Sequence, residues 1–233
     1  MKTIGLLGGM SWESTAEYYR ILNEAVRDRL GPLHSAKIAL YSVDFSEIET
    51  LQHQGRWSEA GAILAEAARA VEHAGADLLL ICTNTMHKLA EEIQAAIRIP
   101  VLHIADATAD TIRGQGIGTV GLLATRFTME EAFYKGRLTG RHGLDVLVPE
   151  DLERDLVHRV IYEELCAGRI EPSSKAQYLR IIDGLIERGA EGIVLGCTEI
   201  GLLVSQSDLR VPAFDTTAIH CLAAVEQALD SAG

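Results

Sequence analysis

The chain has 233 residues, of which 48% are hydrophobic and 5% aromatic, and its formal net charge is −12 at pH 7. A chain of this length can bury a large core, either as one broad domain or as two smaller ones. The acidic balance, without a cluster of lysine and arginine, makes nucleic acid and anionic membranes poor candidate partners, and no apolar run reaches the roughly 18 residues of a membrane span.

The segment that opens the chain, MKTIGLLGGMSWES, predicts a first strand and its loop. A strand and loop fit this segment better than a signal peptide does, because Gly8 and Gly9 interrupt the apolar stretch and Glu13 follows without a small-residue cleavage site. The chain has four cysteines, which are Cys82, Cys166, Cys197 and Cys221. They show neither CxxC spacing nor the spacing of zinc ligands, so we expect reduced thiols, a cytoplasmic location and no metal site.

Helical patterns follow the first strand and recur late in the chain. A capping-box pattern at Ser14 predicts a helix that ends at Gly31. The alanine-rich stretch 58–74 places its larger apolar residues on one face and predicts a second helix. A similar pattern that opens at Ser174 predicts its counterpart in the later part of the chain.

The chain also repeats itself, because three segments recur in the same order about half a chain length later. The pairs are TIGLL at 3–7 with TVGLL at 119–123, GADLLLICTN at 75–84 with GAEGIVLGCT at 189–198, and IPVL at 99–102 with VPAF at 211–214. Ordered internal similarity at nearly the same displacement indicates a duplicated structural unit.

The predicted strands are continuous apolar runs, which indicates parallel sheets that are covered on both faces. We therefore predict an α/β fold of two pseudo-symmetric parallel-sheet domains. Residues 1–100 with 211–233 form the first predicted domain, and residues 101–210 form the second. Ligands bind beyond the carboxyl ends of such strands, so the two domains predict an interdomain active site lined by equivalent turns.

Two equivalent turns carry thiols and hydroxyls. They are Cys82-Thr83-Asn84-Thr85 and Cys197-Thr198-Glu199. Each leads from a strand end towards a helix start, where N–H groups and hydroxyls suit a substrate carboxylate. The alternative is that Thr85 and Thr198 merely cap helices.

Four motifs of the chain resemble the aspartate/glutamate racemases over essentially the full length. The motifs are GGMSWxSTxxYYxxxN from Gly8, CTNTMH from Cys82, GCTEIGLL from Gly196 and FDTTAIH from Phe214. The resemblance implies two pseudo-symmetric α/β domains, an active site between them, no pyridoxal phosphate or other cofactor, and two cysteines that move a proton on opposite faces of Cα. It also implies that the second cysteine acts on the L-enantiomer.

Proton transfer by thiols is chemically reasonable for this reaction. Racemisation removes a proton from one face and returns one to the other, so two groups serve better than one. Only a few per cent of a thiol with a pKa of about 8.5 is ionised at neutral pH, and a helix N-terminus can lower that pKa. Hydrogen bonds to the substrate carboxylate would stabilise the carbanion-like state.

The first turn departs from the family motif Cys-Asn-Thr, because Thr83 precedes Asn84 here, as in the L-aspartate/glutamate-specific type with threonine in place of the first cysteine. The repeat places Thr83 over Cys197, and Cys82 over Gly196. Neighbouring side chains of an extended strand point to opposite sides. We predict that Thr83 and Cys197 are the catalytic pair. Cys82 is the alternative to Thr83, because a turn could rotate either residue towards the substrate.

The predicted substrate contacts come from the same turns and from the family resemblance. They are Met10, Gln52, Thr83, Asn84, Thr85, Thr125, Thr198 and Glu199. Glu199 either orients or deprotonates Cys197, or is an ordinary capping or solvated carboxylate. The motif histidines His87 and His220 are interpreted as structural.

The side chain of the substrate is the open question. The family binds an acidic side chain with an arginine from the first half and a lysine from the second. Here Gln52 and Arg56 lie in the first region, and Arg169 and Lys175 in the second, without a decision among them. The predicted function is racemisation of amino acids, with aspartate and glutamate favoured, by an enzyme that could form a homodimer. The alternatives are a one-cysteine decarboxylase, a hydantoin racemase or a maleate isomerase on the same scaffold, and a non-catalytic amino-acid-binding protein.

Overall fold

The computed structural model describes residues 1–230. Within them the strands are β1 (Ile4–Gly8), β2 (Ile38–Ser42), β3 (Leu78–Ile81), β4 (Thr119–Ala124), β5 (Asp145–Leu147), β6 (Gly192–Gly196) and β7 (Ala213–Asp215). The α-helices are α1 (Trp12–Leu30), α2 (Phe45–His53), α3 (Trp57–His73), α4 (Ala90–Ala96), α5 (Ile104–Gly114), α6 (Arg126–Glu130), α7 (Lys135–His142), α8 (Asp151–Glu163), α9 (Pro172–Glu187), α10 (Ile200–Leu203) and α11 (Thr216–Leu229). Short 3-10 helices span Thr85–Leu89, Leu165–Ala167 and Gln206–Asp208.

The chain divides into two compact units. The first comprises Met1–Ile104 and the chain from His220 onward, and the second comprises Ala105–Ile219. The first boundary lies four residues beyond the predicted one after residue 100. The second lies nine residues beyond the predicted one after residue 210, because β7 pairs in parallel with β6 and so remains with the second sheet.

The first unit contains a parallel sheet of strand order β2-β1-β3. A parallel bridge between Leu79 and Val101 adds a fourth position beside β3. Alternate residues of β1 and β3 enter two different core clusters, so that Leu7 and Ile81 lie in one. Leu6 lies in the other, which also includes side chains of α1 and α11. Both faces of the sheet are therefore covered, as its continuous apolar strands predicted.

The second unit repeats this arrangement with the parallel order β5-β4-β6-β7. The repeat extends to single hydrogen bonds at the strand starts. Thr3 N donates to the Asp77 carboxylate at 2.6 Å, and Asp77 N donates to Thr3 O at 2.8 Å. In the second unit, Thr119 N donates to the Glu191 carboxylate at 3.0 Å, and Glu191 N donates to Thr119 O at 2.9 Å. These matching contacts confirm the duplicated α/β unit.

Two predicted helix starts are wrong by three residues, since the caps are Ser11 and Glu171 and not Ser14 and Ser174. The N-cap of α1 is Ser11, three residues before the predicted Ser14, and its side chain accepts a hydrogen bond from Ser14 N. Helix α9 begins at Pro172, because proline fits the first helical position, where its missing N–H is not needed. The end of α1 at Gly31, with φ of 113°, is as predicted. Among the described residues, no helix is long and apolar enough to cross a membrane.

Candidate active site

The two candidate turns occupy equivalent places in the two sheets. In the first unit Leu7 of β1 lies opposite Ile81 of β3. In the second unit Leu123 of β4 lies opposite Leu195 of β6. Thr83 and Cys197 each follow two residues after these partners, so strand pairing gives the same alignment as the sequence repeat. Both turns lie at the carboxyl end of a central strand, where ligands bind in parallel sheets.

Cys82 lies in the core of the first unit. Its side chain is 0% exposed and packs among apolar residues that include Leu6, Leu80 and Cys221. Burial raises the pKa of the Cys82 thiol well above its usual range, because a thiolate there would lose its hydration. Thr83, by contrast, is half-buried. Of Cys82 and Thr83, Thr83 is therefore the more accessible side chain.

Cys197 is half-buried, and its thiol lies 2.9 Å from a carboxylate oxygen of Glu199, to which it donates a hydrogen bond. The pKa of Cys197 is raised well above its usual value, first by burial and then by the negative charge of Glu199. A backbone hydrogen bond from Glu199, at the start of the following helix, lowers this pKa, but burial and the Glu199 carboxylate raise it by more. The four-residue α10 that follows does not offset the burial and the adjacent carboxylate. The resting group is a neutral thiol beside a proton acceptor.

Several of the predicted contact residues of the first unit follow strand ends at the same sheet edge. Met10 follows β1, and Asn84 and Thr85 follow β3, the neighbouring parallel strand. All three are buried, as is Gln52 in α2. Asn84 occupies the cap position of the 3-10 helix Thr85–Leu89 without a side-chain capping bond. Thr85 is the first residue of that helix, so it is not its cap.

In the second unit, Thr125 and Thr198 also follow strand ends. Thr125 directly follows β4, is buried, and has its hydroxyl 3.3 Å from that of Thr128. Thr198 lies between Cys197 and Glu199 and is half-buried. Since Glu199 holds the cap position of α10, Thr198 is not the cap of that helix.

The two motif histidines are buried and hydrogen-bonded through both ring nitrogens. His87 contacts Thr83 O at 2.8 Å and Ile104 N at 3.2 Å. His220 contacts the Tyr18 hydroxyl at 2.9 Å and Leu102 O at 2.7 Å. Burial lowers the pKa of His220 to about 4, so that it is neutral at pH 7. The contact between His87 and Thr83 was not predicted, although their spacing of four residues could have suggested it.

The candidate cations for a substrate side chain are already engaged. Arg56 makes two hydrogen bonds of 2.6 Å to the Glu59 carboxylate. Lys175 lies 2.8 Å from Asp208, and this lysine is the first cause that lowers the pKa of the Asp208 carboxyl to about 2. Arg169 donates to the main-chain carbonyl of Glu163. Among the described residues, no group of three or more His, Cys, Asp or Glu side chains is arranged to hold a metal ion.

Comparison with known proteins identifies one family throughout. The model of the Asp/Glu/hydantoin racemase family matches residues 7–224. A crystal structure of a protein from Yersinia pestis, proposed to be an Asp/Glu racemase, is 57% identical, with a TM-score of 0.93 over 98% of this chain and 100% of that one. An aspartate racemase homologue from Pyrococcus horikoshii is 37% identical, with a TM-score of 0.87 over 98% of this chain and 99% of that one. The broad specificity amino-acid racemase RacX of Bacillus subtilis is 25% identical over 94% of both chains.

Proposed function

Because the chain belongs to the Asp/Glu/hydantoin racemase family, we propose that it racemises aspartate and glutamate without a cofactor, with Thr83 and Cys197 as the two proton-transferring groups. Its class as an amino-acid racemase follows from the family and the relatives. We propose, in addition to this class, the identity of the substrate, the independence of a cofactor and the roles of the two residues. A cytoplasmic location is part of the proposal, supported by four free cysteine thiols.

The observation that carries the proposal is the contact of 2.9 Å between the Cys197 thiol and the Glu199 carboxylate. A neutral thiol is a weak base, and its pKa here is raised. An adjacent carboxylate can accept the thiol proton at the moment the thiolate is needed, as in other activated nucleophile pairs. Glu199 is thus proposed as the group that deprotonates Cys197.

The proposed reaction of an L-amino acid has two steps. The Cys197 thiolate takes the α-proton, and the electron pair of the broken C–H bond is delocalised into the substrate carboxylate. Thr83 then donates its hydroxyl proton to the opposite face of Cα, and solvent restores that proton. Cys197 keeps the α-proton as its thiol hydrogen. Glu199 releases the proton it accepted to solvent, which balances the proton that solvent gives to Thr83, so the enzyme regains its starting state and the product is the D-enantiomer.

The carboxylate of the substrate needs hydrogen-bond donors that strengthen as charge develops. Asn84 and Thr85 in the first unit and Thr125 and Thr198 in the second are proposed for this role. Their support is their position within four residues of the carboxyl ends of β3, β4 and β6, where ligands of parallel sheets bind. Met10 and Gln52 are proposed as further contacts of the first unit.

A broader substrate range is the second candidate. The cations that could bind an acidic side chain, Arg56 and Lys175, are held by Glu59 and Asp208. One relative that covers 94% of the chain is named as a broad specificity racemase. Both observations favour a site that recognises the α-amino and α-carboxylate groups of the substrate more strongly than its side chain.

One NMR experiment distinguishes an aspartate/glutamate racemase from a racemase of broader substrate range. The purified protein, free of pyridoxal phosphate, is incubated in D₂O with L- and D-amino acids of acidic, neutral and basic side chain, and loss of the α-proton signal is followed. We expect the fastest loss for aspartate and glutamate. Comparable rates for all side chains would favour the broader range. Turnover of aryl malonates, hydantoins or maleate without amino-acid exchange would overturn the proposal in favour of another reaction on this scaffold. Amino-acid binding without any exchange would indicate a non-catalytic binding protein.

The oligomeric state is a separate proposal, a homodimer. It is supported by two large aromatic side chains on one face of α1, Trp12 at 68% and Tyr19 at 55% exposure. Light scattering coupled to size-exclusion chromatography tests it. A mass near twice the 25.3 kDa of one chain is expected, and a monomer mass would contradict it.

A further inference from the structure

The main chain of Thr83 is held by a buried histidine. His87 Nδ1 lies 2.8 Å from Thr83 O, and Ile104 N donates to His87 Nε2 at 3.2 Å. Because Nε2 accepts that bond, the proton of the neutral ring must lie on Nδ1. His87 therefore donates to Thr83 O, and the main chain of Ile104 fixes the tautomer that makes this possible.

The surroundings of His87 keep this bond in one geometry. The ring is 2% exposed, and its centroid lies 4.5 Å from that of His103 and 5.8 Å from that of His220. Ile104 is 0% exposed and is the last residue of the first unit before the second begins. Water does not compete for a bond in such a place, and the low local dielectric strengthens it.

The second turn is held in a different way. The repeat that aligns Thr83 with Cys197 aligns His87 with Gly201, which has no side chain to donate. The carbonyl of Cys197 instead accepts from Ile200 N at 3.1 Å. The side chain of Cys197 is restrained by Glu199. The Cys197 carbonyl is thus held by a main-chain donor, and the Thr83 carbonyl by a side-chain donor.

We propose that His87 is a positioning residue for Thr83, which orients the threonine hydroxyl through its carbonyl group. The N–H of Thr83 is also held, because it donates to Ile81 O at 2.8 Å, so both peptide groups of this residue are fixed. The direction of a side chain follows from the backbone that carries it, and a shift of about 1 Å in a reacting group can cost about 100-fold in rate. This inference rests on the proposed role of Thr83 as proton donor.

Two conservative variants distinguish the effects of the two hydrogen bonds made by the His87 ring. His87→Asn keeps an amide donor near the place of Nδ1 and so retains the bond to Thr83 O. His87→Gln keeps a polar group near the place of Nε2, towards Ile104 N, and loses the donor to Thr83. His220→Gln is the matched control, because it alters a neighbouring buried histidine. The hydrogen bonds given above for His220 go to Tyr18 and Leu102, and not to the Thr83 turn.

The readout is the ratio of α-proton exchange to inversion for L-aspartate in D₂O. Exchange with retention needs Cys197 and its partner Glu199 but not Thr83, whereas inversion also needs Thr83. We expect His87→Gln to raise the ratio about fivefold or more, His87→Asn to change it less than about twofold, and His220→Gln to leave it unchanged. A merely structural role for His87 would lower exchange and inversion together and leave the ratio as it is.

Several outcomes would overturn the inference. A folded His87→Gln variant with the wild-type ratio would do so. If this variant does not fold, the ¹⁵N spectrum of the wild-type histidines decides, because a protonated Nε2 in His87 would exclude the bond to Thr83 O. If the wild-type protein exchanges no amino-acid α-proton at all, the proposed function fails, and with it this role of His87.

Discussion

Cys197 donates its thiol hydrogen to the carboxylate of Glu199 across 2.9 Å. Burial and this carboxylate together raise the pKa of the thiol, so the pair rests as a neutral acid beside a base. That arrangement differs from a thiolate stabilised by a helix end. The thiolate can then form only when the thiol proton is transferred to Glu199.

Replacing Glu199 by glutamine tests that dependence. The amide cannot accept the thiol proton, so we expect kcat for L-aspartate to fall about 100-fold, as for loss of a general base, with little change in KM. The pKa of Cys197 should fall, because a negative charge beside it is removed. Steady-state kinetics measure the first effect, and the pH dependence of iodoacetamide alkylation measures the second. A Glu199→Gln variant with unchanged kcat would reduce Glu199 to an ordinary capping carboxylate.

Replacing Cys82 by alanine should affect stability more than activity. Cys82 is fully buried among apolar side chains, so removing its sulfur should lower the free energy of unfolding by about 1–2 kcal/mol. Denaturant unfolding measures that loss, and the rate of racemisation should stay within about twofold of the wild type. A folded but inactive Cys82→Ala variant, together with a fully active Thr83→Ala variant, would show that the wrong side chain of this turn has been assigned to catalysis.

The pairing of a thiol with a hydroxyl predicts a difference between the two directions. The enantiomers have equal free energy in water, so kcat/KM must be equal in both directions, and the asymmetry can appear only in kcat and KM separately. We expect both constants to be lower for D-aspartate than for L-aspartate, because Thr83 is a poor base. Thr83→Cys should bring the two directions closer together. Equal kcat values that Thr83→Cys leaves unchanged would exclude the hydroxyl from proton transfer.

His220 predicts a dependence of stability on pH. Its pKa is lowered to about 4 by burial, whereas an unfolded histidine titrates near 6.5. Between these values the unfolded chain binds a proton that the folded chain does not, so stability falls as the pH falls from about 6.5 to about 4. The full contribution is about 3 kcal/mol. Urea unfolding across this range should show a shallower pH dependence in His220→Gln, and an identical slope in both proteins would contradict the prediction.

The duplicated fold was predictable because its signals are local and repeated. Continuous apolar strands and the glycines that follow the helices, such as Gly75 and Gly189 with φ of 90° and 105°, identify each unit without knowledge of distant contacts. The errors arose where neighbouring signals compete. Ser11 and Ser14 both suit a helix start, and the pairing of β7 with β6 depends on the sheet and not on the strand itself.

The site was predictable only in part. The period of a strand was enough to indicate opposite directions for Cys82 and Thr83, and the structure places Cys82 in the core and leaves Thr83 half-buried. The raised pKa of Cys197 was not predictable, because it depends on the distance to Glu199 and on burial, which the backbone of the turn determines. The bond from His87 to Thr83 O likewise depends on Ile104, which follows 17 residues later.

The assignment of Thr83 and Cys197 to the two faces of Cα is tested most directly with L-aspartate in D₂O. The loss of the α-proton is followed by NMR and the formation of the D-enantiomer by chiral chromatography, for the wild type and for folded Thr83→Ala and Cys197→Ala variants. We predict both events in the wild type, loss of the α-proton without D-aspartate in Thr83→Ala, and neither event in Cys197→Ala. Formation of D-aspartate by Thr83→Ala at the wild-type rate, or exchange by Cys197→Ala, would contradict the account.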